Sequence, residues 1–218
     1  MPGPFHHEQM YRGAEQVARL SGVPLVLCGA GALGSHLADN LARQGFRTLR
    51  VIDHDRVEEH NVGTQLYGES DVGAWKVEAL RARLFRAIGV EIEAIRKTFD
   101  DRTAPALLKG AAFVIDAFDN SESRQRVQTH CRDRGLNGLH VGLASDYAEV
   151  IWDERYRVPG DVLGDVCDYP LARNLVLLAV AVASETLVRA VLDVERRDWS
   201  ITLGDFAIRP LEAATTGV

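Results

Sequence analysis

A glycine-rich turn, Gly29-Ala30-Gly31-Ala32-Leu33-Gly34, separates a short apolar run at 24–28 from a segment at 35–43 whose apolar residues are Leu37, Ala38, Leu41 and Ala42. The first pattern is that of a buried strand and the second that of an amphipathic helix. Gly45 stops the helix, and residues 48–52 read as a second strand that delivers Asp53 at its carboxyl end. Strand, turn, helix and strand make a βαβ unit. Such a unit commits the chain to a parallel sheet, because only a crossover brings the second strand back beside the first in the same direction.

The alternation continues with a helix at 74–88, a strand at 90–95, a short helix at 104–108, an apolar strand at 112–117 and a helix at about 121–133. Residues 139–143 and 148–152 read as two more strands, joined closely enough to run antiparallel. A loop with two prolines and three aspartates spans 159–170, a long helix 171–191, and a last strand 199–203. The fold class expected is α/β: a Rossmann-like, mostly parallel sheet with an antiparallel extension and helices on both faces. No linker rich in Gly, Ser or Pro divides the chain. Residues 1–218 therefore read as one domain, with an N-terminal segment at 1–22 and a surface crossover loop at 158–170.

Composition narrows the function classes. At 46% apolar and 26% charged residues, the 218-residue chain can bury one sizeable core. Its net charge of -6 lacks the basic excess that nucleic acid would attract, so no nucleic-acid partner is expected. The three cysteines, Cys28, Cys131 and Cys167, contain no C-x-x-C pair, which argues against a disulfide framework and a four-sulfur zinc site and suits a reducing cytoplasm. The N-terminus carries no apolar core of signal type, and His6 and His7 read as a solvated end. The uncharged apolar run at 174–184 is about half of the ~20 residues that cross a bilayer, so it reads as a buried helix with no membrane role.

Gly29, Gly31 and Gly34 follow G-x-G-x-x-G between strand and helix, where backbone N–H groups and the helix N-terminus favour an anion. Asp53 stands where a carboxylate can accept ribose hydroxyls. Both features suit an NAD(P)-dependent oxidoreductase as well as other nucleotide binders. Beyond them the chain reads Asp53-His54-Asp55-Arg56-Val57, then Asn61-Val62-Gly63-Thr64-Gln65, then Val72-Gly73-Ala74-Trp75-Lys76, and later Asp119-Asn120 followed by Arg124. With these segments it resembles the ThiF/MoeB/HesA family, whose fold the adenylation halves of ubiquitin-activating enzymes also use. The likeness runs over about 16–205.

The resemblance implies an ATP-dependent adenylyltransferase that activates a carboxylate, the C-terminal glycine of a ubiquitin-like or sulfur-carrier protein, as an acyl-adenylate. Carboxylate attack on the α-phosphorus brings negative charge toward a polyanion, so the site needs a cation, a metal ion and aligned donors. By this likeness Gly29, Gly31 and Gly34 approach the phosphates, Asp53 holds ribose, and Asn61 and Gln65 orient the triphosphate. Lys76, one of only three lysines against 22 arginines, offsets the charge. Asp119 positions Mg²⁺, while Asp55 and Asn120 complete the cofactor-binding set, Asn120 also serving as a helix N-cap. Asp116 reads as a structural anchor, and Arg124 either completes the motif or forms a surface ion pair.

This chain departs from the family pattern at several positions. Where the family reads Asn-x-x-Arg-Gln, this chain has Thr64, and a hydroxyl cannot replace bidentate guanidinium contacts. Arg12, matching a family arginine that reaches a neighbouring subunit's ATP, is one substitute, and Arg56 a second. No C-x-x-C pairs remain for the zinc that many relatives hold, so no zinc is expected. Cys167 falls where relatives with a reactive cysteine carry it and could accept the acyl group as a thioester. The long helix is apolar on more than one face, as a homodimer contact requires. Cys28 and Cys131 read as packed, and His54, His60 and His140 as ordinary hydrogen-bonded or surface histidines. The loss at Thr64 also leaves open a non-catalytic partner that only binds a ubiquitin-like protein.

Overall fold

The computed structural model describes residues 2–159 and 170–211. In chain order the elements are α1 His6–Arg12, α2 Ala14–Ser21, β1 Leu25–Cys28, α3 Ala32–Gln44, β2 Leu49–Ile52, α4 Lys76–Ile88, β3 Glu93–Ile95, α5 Ala104–Leu107, β4 Phe113–Asp116, α6 Ser121–Arg134, β5 Asn137–Ala144, β6 Tyr147–Trp152, α7 Arg173–Leu192, β7 Trp199–Thr202 and β8 Ala207–Pro210. Single 3-10 turns lie at Glu59–Asn61 and Glu69–Asp71.

The eight strands of the described residues form one sheet in the order β3-β2-β1-β4-β5-β6-β7-β8. β3 to β5 pair in parallel, and β6, β7 and β8 extend the sheet antiparallel. Strand order therefore reverses beside β1. In an open α/β sheet a ligand crevice forms outside the carboxyl ends of the strands at that reversal.

Alternate side chains along the strands feed two separate cores. Leu25 and Leu27 of β1, with Val51 and Ile115, pack on one face under residues of α3, α4 and α7. Val26 and Cys28, with Ile52 and Val114, pack on the other under α5 and α6. Helices thus cover both faces, as the apolar runs predict, and a strand buried on both sides has no need of polar alternation.

Two parts of the chain differ from expectation. The N-terminal segment, in which His6 and His7 are, as expected, not buried, is nonetheless helical: it forms α1 and α2, hinged at Gly13 with φ +94°, and Phe5, Val17 and Leu20 are buried. His6 and His7 sit on α1, which buries no residue. Nor is β7 the last strand, because Leu203 to Phe206 turns the chain back into β8. The helix α7 is long and apolar enough to cross a membrane by length and composition, but here it packs on α3, β5 and β6 with Leu175, Val176, Ala179, Ala183 and Leu187 buried. Its other apolar face includes the exposed Leu177. Cys167 and all but the ends of the crossover loop lie outside the described residues.

Candidate nucleotide site

β1 is followed by Gly29, whose N–H donates to the Ile52 carbonyl while Cys28 O accepts from Ala117 N–H, both at 2.9 Å, tying the turn to β2 and β4. Gly29 has φ +97°, and a Cβ there would lie 2.9 Å from the Ala117 carbonyl oxygen. A Cβ on Gly34 would lie 2.0 Å from the Gly29 oxygen, so α3 seats directly on the turn only because that residue lacks a side chain. Gly31 differs from both. A Cβ added there would meet nothing within 4 Å. Gly31 is also the N-cap of α3, and no side chain caps the helix. Uncapped N–H groups facing open space at a helix start are what an anion requires.

Asp53, buried at the end of β2, accepts from Ala30 N–H through Oδ2 and from Asp55 N–H through Oδ1, each at 2.7 Å. It therefore braces the glycine turn whether or not it also accepts from ribose. Burial raises its pKa, against the pull of Lys76 and of the two N–H donors. Lys76, the buried first residue of α4, places Nζ 3.1 Å from Asp55 Oδ2. The acidic end of β2 and the lysine are thus one assembly. Potential ligand atoms of Asp53, His54 and Asp55 do converge within 4.8 Å, a cluster that the histidine spacing does not reveal in sequence. Both Asp53 oxygens already accept from N–H groups and Asp55 holds Lys76.

Residues 61–67 fold over the first turn of α3. Ser35 Oγ accepts from Leu66 N–H at 3.1 Å, His36 Nε2 lies 3.1 Å from Thr64 O, and Tyr67 OH donates to Ala30 O at 2.7 Å. Asn61 is buried and uses its side-chain oxygen to accept from Glu58 N–H, closing the 3-10 turn. Gln65 Oε1 is buried without a hydrogen-bond partner. An acceptor left in that state costs about 1–3 kcal/mol unless a ligand or water supplies a donor.

On the other side of β1, the loop after β4 carries Asp119, exposed, and Asn120, whose side chain caps α6 by accepting from Ser123 N–H at 2.9 Å. Its backbone is set from beneath. Asp116, fully buried, accepts from Phe118 N–H at 3.1 Å through Oδ1 and faces His140 Nδ1 at 2.8 Å through Oδ2. His140 Nε2 faces Asp153 at 2.9 Å, and its ring stacks on Tyr156 at 3.8 Å. Burial lowers the His140 pKa, but the two carboxylates outweigh it and the net direction is up. Asp116 is indeed an anchor. Arg124 is no surface ion pair: it is buried and donates to Val141 O and Tyr156 OH at 2.9 and 3.0 Å.

The expected substitutes for an arginine at Thr64 are engaged elsewhere. Arg12 pairs with Glu8 at 2.8 Å and with Glu185 of α7 at 2.7 Å. Arg56 is not simply solvated: it stacks 3.9 Å from the Trp75 ring centroid and donates to Gly73 O at 2.6 Å. The arginine that does reach Thr64 is Arg173, whose Nη1 lies 3.3 Å from the Thr64 carbonyl. With 109 residues between them, no sequence spacing announces that contact. Cys28 and Cys131 are both buried, as expected, and burial raises both thiol pKa values, that of Cys131 to about 12.

The open space at Gly31, the uncapped α3 and the unpartnered Gln65 oxygen fit a nucleotide polyphosphate with its hydrated cation. A hard, exposed carboxylate at Asp119 fits Mg²⁺.

A protein-family model described as the ThiF family matches residues 7–152. The NEDD8-activating enzyme E1 catalytic subunit of Caenorhabditis elegans is 31% identical over 149 residues, covering 67% of this chain and 32% of that protein. The SAMP-activating enzyme E1 of Haloferax volcanii is 32% identical, covering 60% of this chain and 49% of the relative. The sulfur carrier protein ThiS adenylyltransferase of Bacillus subtilis is 29% identical, covering 67% and 46%. The chain thus spans between a third and a half of the length of these curated relatives. Among solved structures, E. coli MccB with ATP superposes with a TM-score of 0.80 at 17% identity, covering 97% of this chain and 71% of that one, a likeness of fold.

Proposed function

The chain belongs to the ThiF family, and on that premise we propose that it is an ATP-dependent adenylyltransferase acting on the C-terminal carboxylate of a ubiquitin-like or sulfur-carrier protein. The observation that carries this reading is the placement of one assembly around the end of β1: the glycine turn opening at Gly31, Lys76 on the β2 side and Asp119 on the β4 side. A carboxylate oxygen of the carrier attacks the α-phosphorus, the bond to the bridging oxygen of the β-phosphate breaks, and pyrophosphate leaves with that electron pair. The N–H groups of α3 hold phosphate oxygens, and Lys76 neutralises charge that builds as the two anions meet. Asp53 keeps the turn in shape while accepting from ribose, with Asp55 alongside. Asp119 holds Mg²⁺, which screens the phosphates when bound. Cys167 as acyl acceptor is a later, optional step.

A homodimer through the outer face of α7, with Arg12 released from Glu185 to reach a partner's nucleotide, and a cytoplasmic setting belong to the same proposal. The uncharged Thr64 side chain favours a second reading, a non-catalytic subunit that binds the carrier alone. Carrier-dependent exchange of labelled pyrophosphate into ATP decides between them. Exchange supports adenylation. Carrier binding without exchange supports the second reading, and calorimetric binding of NADH but not of ATP-Mg²⁺ refutes both in favour of an oxidoreductase.

A further inference from the structure

Arg173 opens α7 beside residues 61–67, with Nη1 3.3 Å from both Thr64 O and His36 Nε2. His36 is buried, and burial together with the nearby guanidinium lowers its pKa, so the ring is neutral. The proton arrangement that satisfies all three groups puts hydrogen on His36 Nε2. Thr64 O then accepts from His36 through one lone pair and from Arg173 through the other. That leaves the guanidinium with one long hydrogen bond to an uncharged carbonyl.

The three cations that the sequence offers for the phosphates are already matched. Lys76 has Asp55, Arg12 has Glu8 and Glu185, and Arg56 has the Trp75 face and Gly73 O. Among the described residues the polar contacts of Arg173 are the two named, neither of them with a carboxylate. Its position relative to the anion site follows from helix geometry. His36 stands four residues beyond Ala32, about 6 Å along the axis from the start of α3, and helical side chains lean toward the N-terminus. A rotamer change in a long exposed side chain spans that gap.

We propose that Arg173 is a triphosphate-binding residue, its guanidinium leaving the Thr64 carbonyl to take phosphate oxygens of ATP seated on α3. This rests on the adenylation reading and adds a cation that no local sequence pattern marks. Bidentate guanidinium contacts to phosphate are charge-assisted, and their loss weakens binding by roughly tenfold or more.

Calorimetric titration of the full chain with ATP-Mg²⁺, AMP and adenosine, repeated for Arg173→Gln and Arg173→Lys, tests it. The expected result is wild-type binding of ATP, a loss of roughly tenfold or more in ATP affinity for Arg173→Gln with adenosine unchanged, and partial recovery in Arg173→Lys. Equal ATP affinity in wild type and Arg173→Gln overturns the inference and leaves the adenylation reading standing. A parallel loss of adenosine and ATP overturns it too, since it marks a brace for residues 61–67 rather than a phosphate contact. Wild-type protein that binds no ATP removes the adenylation reading itself, and this inference with it. Melting of the nucleotide-free variants confirms that the comparison is between folded proteins.

Discussion

Lys76 Nζ rests 3.1 Å from Asp55 Oδ2, with the lysine side chain 10% exposed and the aspartate 53%, and the Lys76 N–H also donates to the Asp55 carbonyl. The backbone bond survives any side-chain change, and a half-exposed carboxylate that loses its partner is solvated. Lys76→Met should therefore shift folding stability by only about 1 kcal/mol. Loss of a positioned cation from a charge-developing site should slow pyrophosphate exchange about 100-fold or more. Urea melts and exchange rates on the same preparation check the pair. A large loss of stability with exchange retained would mean that the lysine only fastens α4 to β2.

The glycines divide in the same way. Gly34→Ala puts a methyl 2.0 Å from the Gly29 oxygen, and backbone on both sides cannot yield, so it should destabilise the fold by several kcal/mol, about 3 or more. Gly31→Ala meets nothing within 4 Å at a negative φ, so its melting temperature should stay near wild type. Its methyl stands where an anion would approach α3, and ATP affinity should fall. Thermal melts beside calorimetry separate the two. Gly31→Ala protein that binds ATP normally would show that the open space is not the phosphate site.

The strand–turn–helix core was readable because each of its parts is local. β1, α3, β2 and Asp53 follow one another within thirty residues, and apolar periodicity with glycine punctuation suffices to place them. α2 escapes a local reading because it is only eight residues long and buries two apolar side chains, Val17 and Leu20, although its polar and apolar faces are well separated. β8 was missed because Ile208 is its only large apolar residue, it is an exposed edge strand, and the Gly204-Asp205 turn alone marks it. The contacts of Arg173 and of the Asp116–His140–Asp153 chain are absent from any local pattern, since tertiary folding brings together groups 109, 24 and 13 residues apart.

Asp119 and Asn120 are adjacent yet serve separable ends. Asn120→Ala removes the side-chain cap on the Ser123 N–H of α6 and should cost about 1 kcal/mol. Asp119→Ala removes an exposed carboxylate whose hydrogen bond is a 3.3 Å contact from Asn120, so stability should be unaltered within about 0.5 kcal/mol. If Asp119 holds Mg²⁺, the magnesium concentration for half-maximal exchange rises in Asp119→Ala and stays in place in Asn120→Ala. A magnesium titration of both variants tests this, and an unchanged midpoint for Asp119→Ala removes that ligand from the proposal.

His140 gives the fold a dependence on pH whose sign is fixed by its partners. Both ring nitrogens face carboxylates, so the imidazolium donates twice, and the folded pKa lies above the ordinary histidine value of 6.5. The unfolded chain holds that proton less tightly. The resulting stability is complete below about pH 6.5 and is lost as pH rises through the folded value. Asp153 runs the other way. Burial raises its pKa, but His140 and Arg132 outweigh this and hold it below 3.8, so its contribution is present above that value and fades as pH falls through the folded one. Wild-type stability should therefore decline from near-neutral toward alkaline pH. His140→Gln should flatten that decline while costing about 3 kcal/mol at about pH 6, since two carboxylates are then left in a buried space without their shared cation. Urea melts across that range measure both effects. An undiminished alkaline decline in His140→Gln would assign the pH dependence to another group.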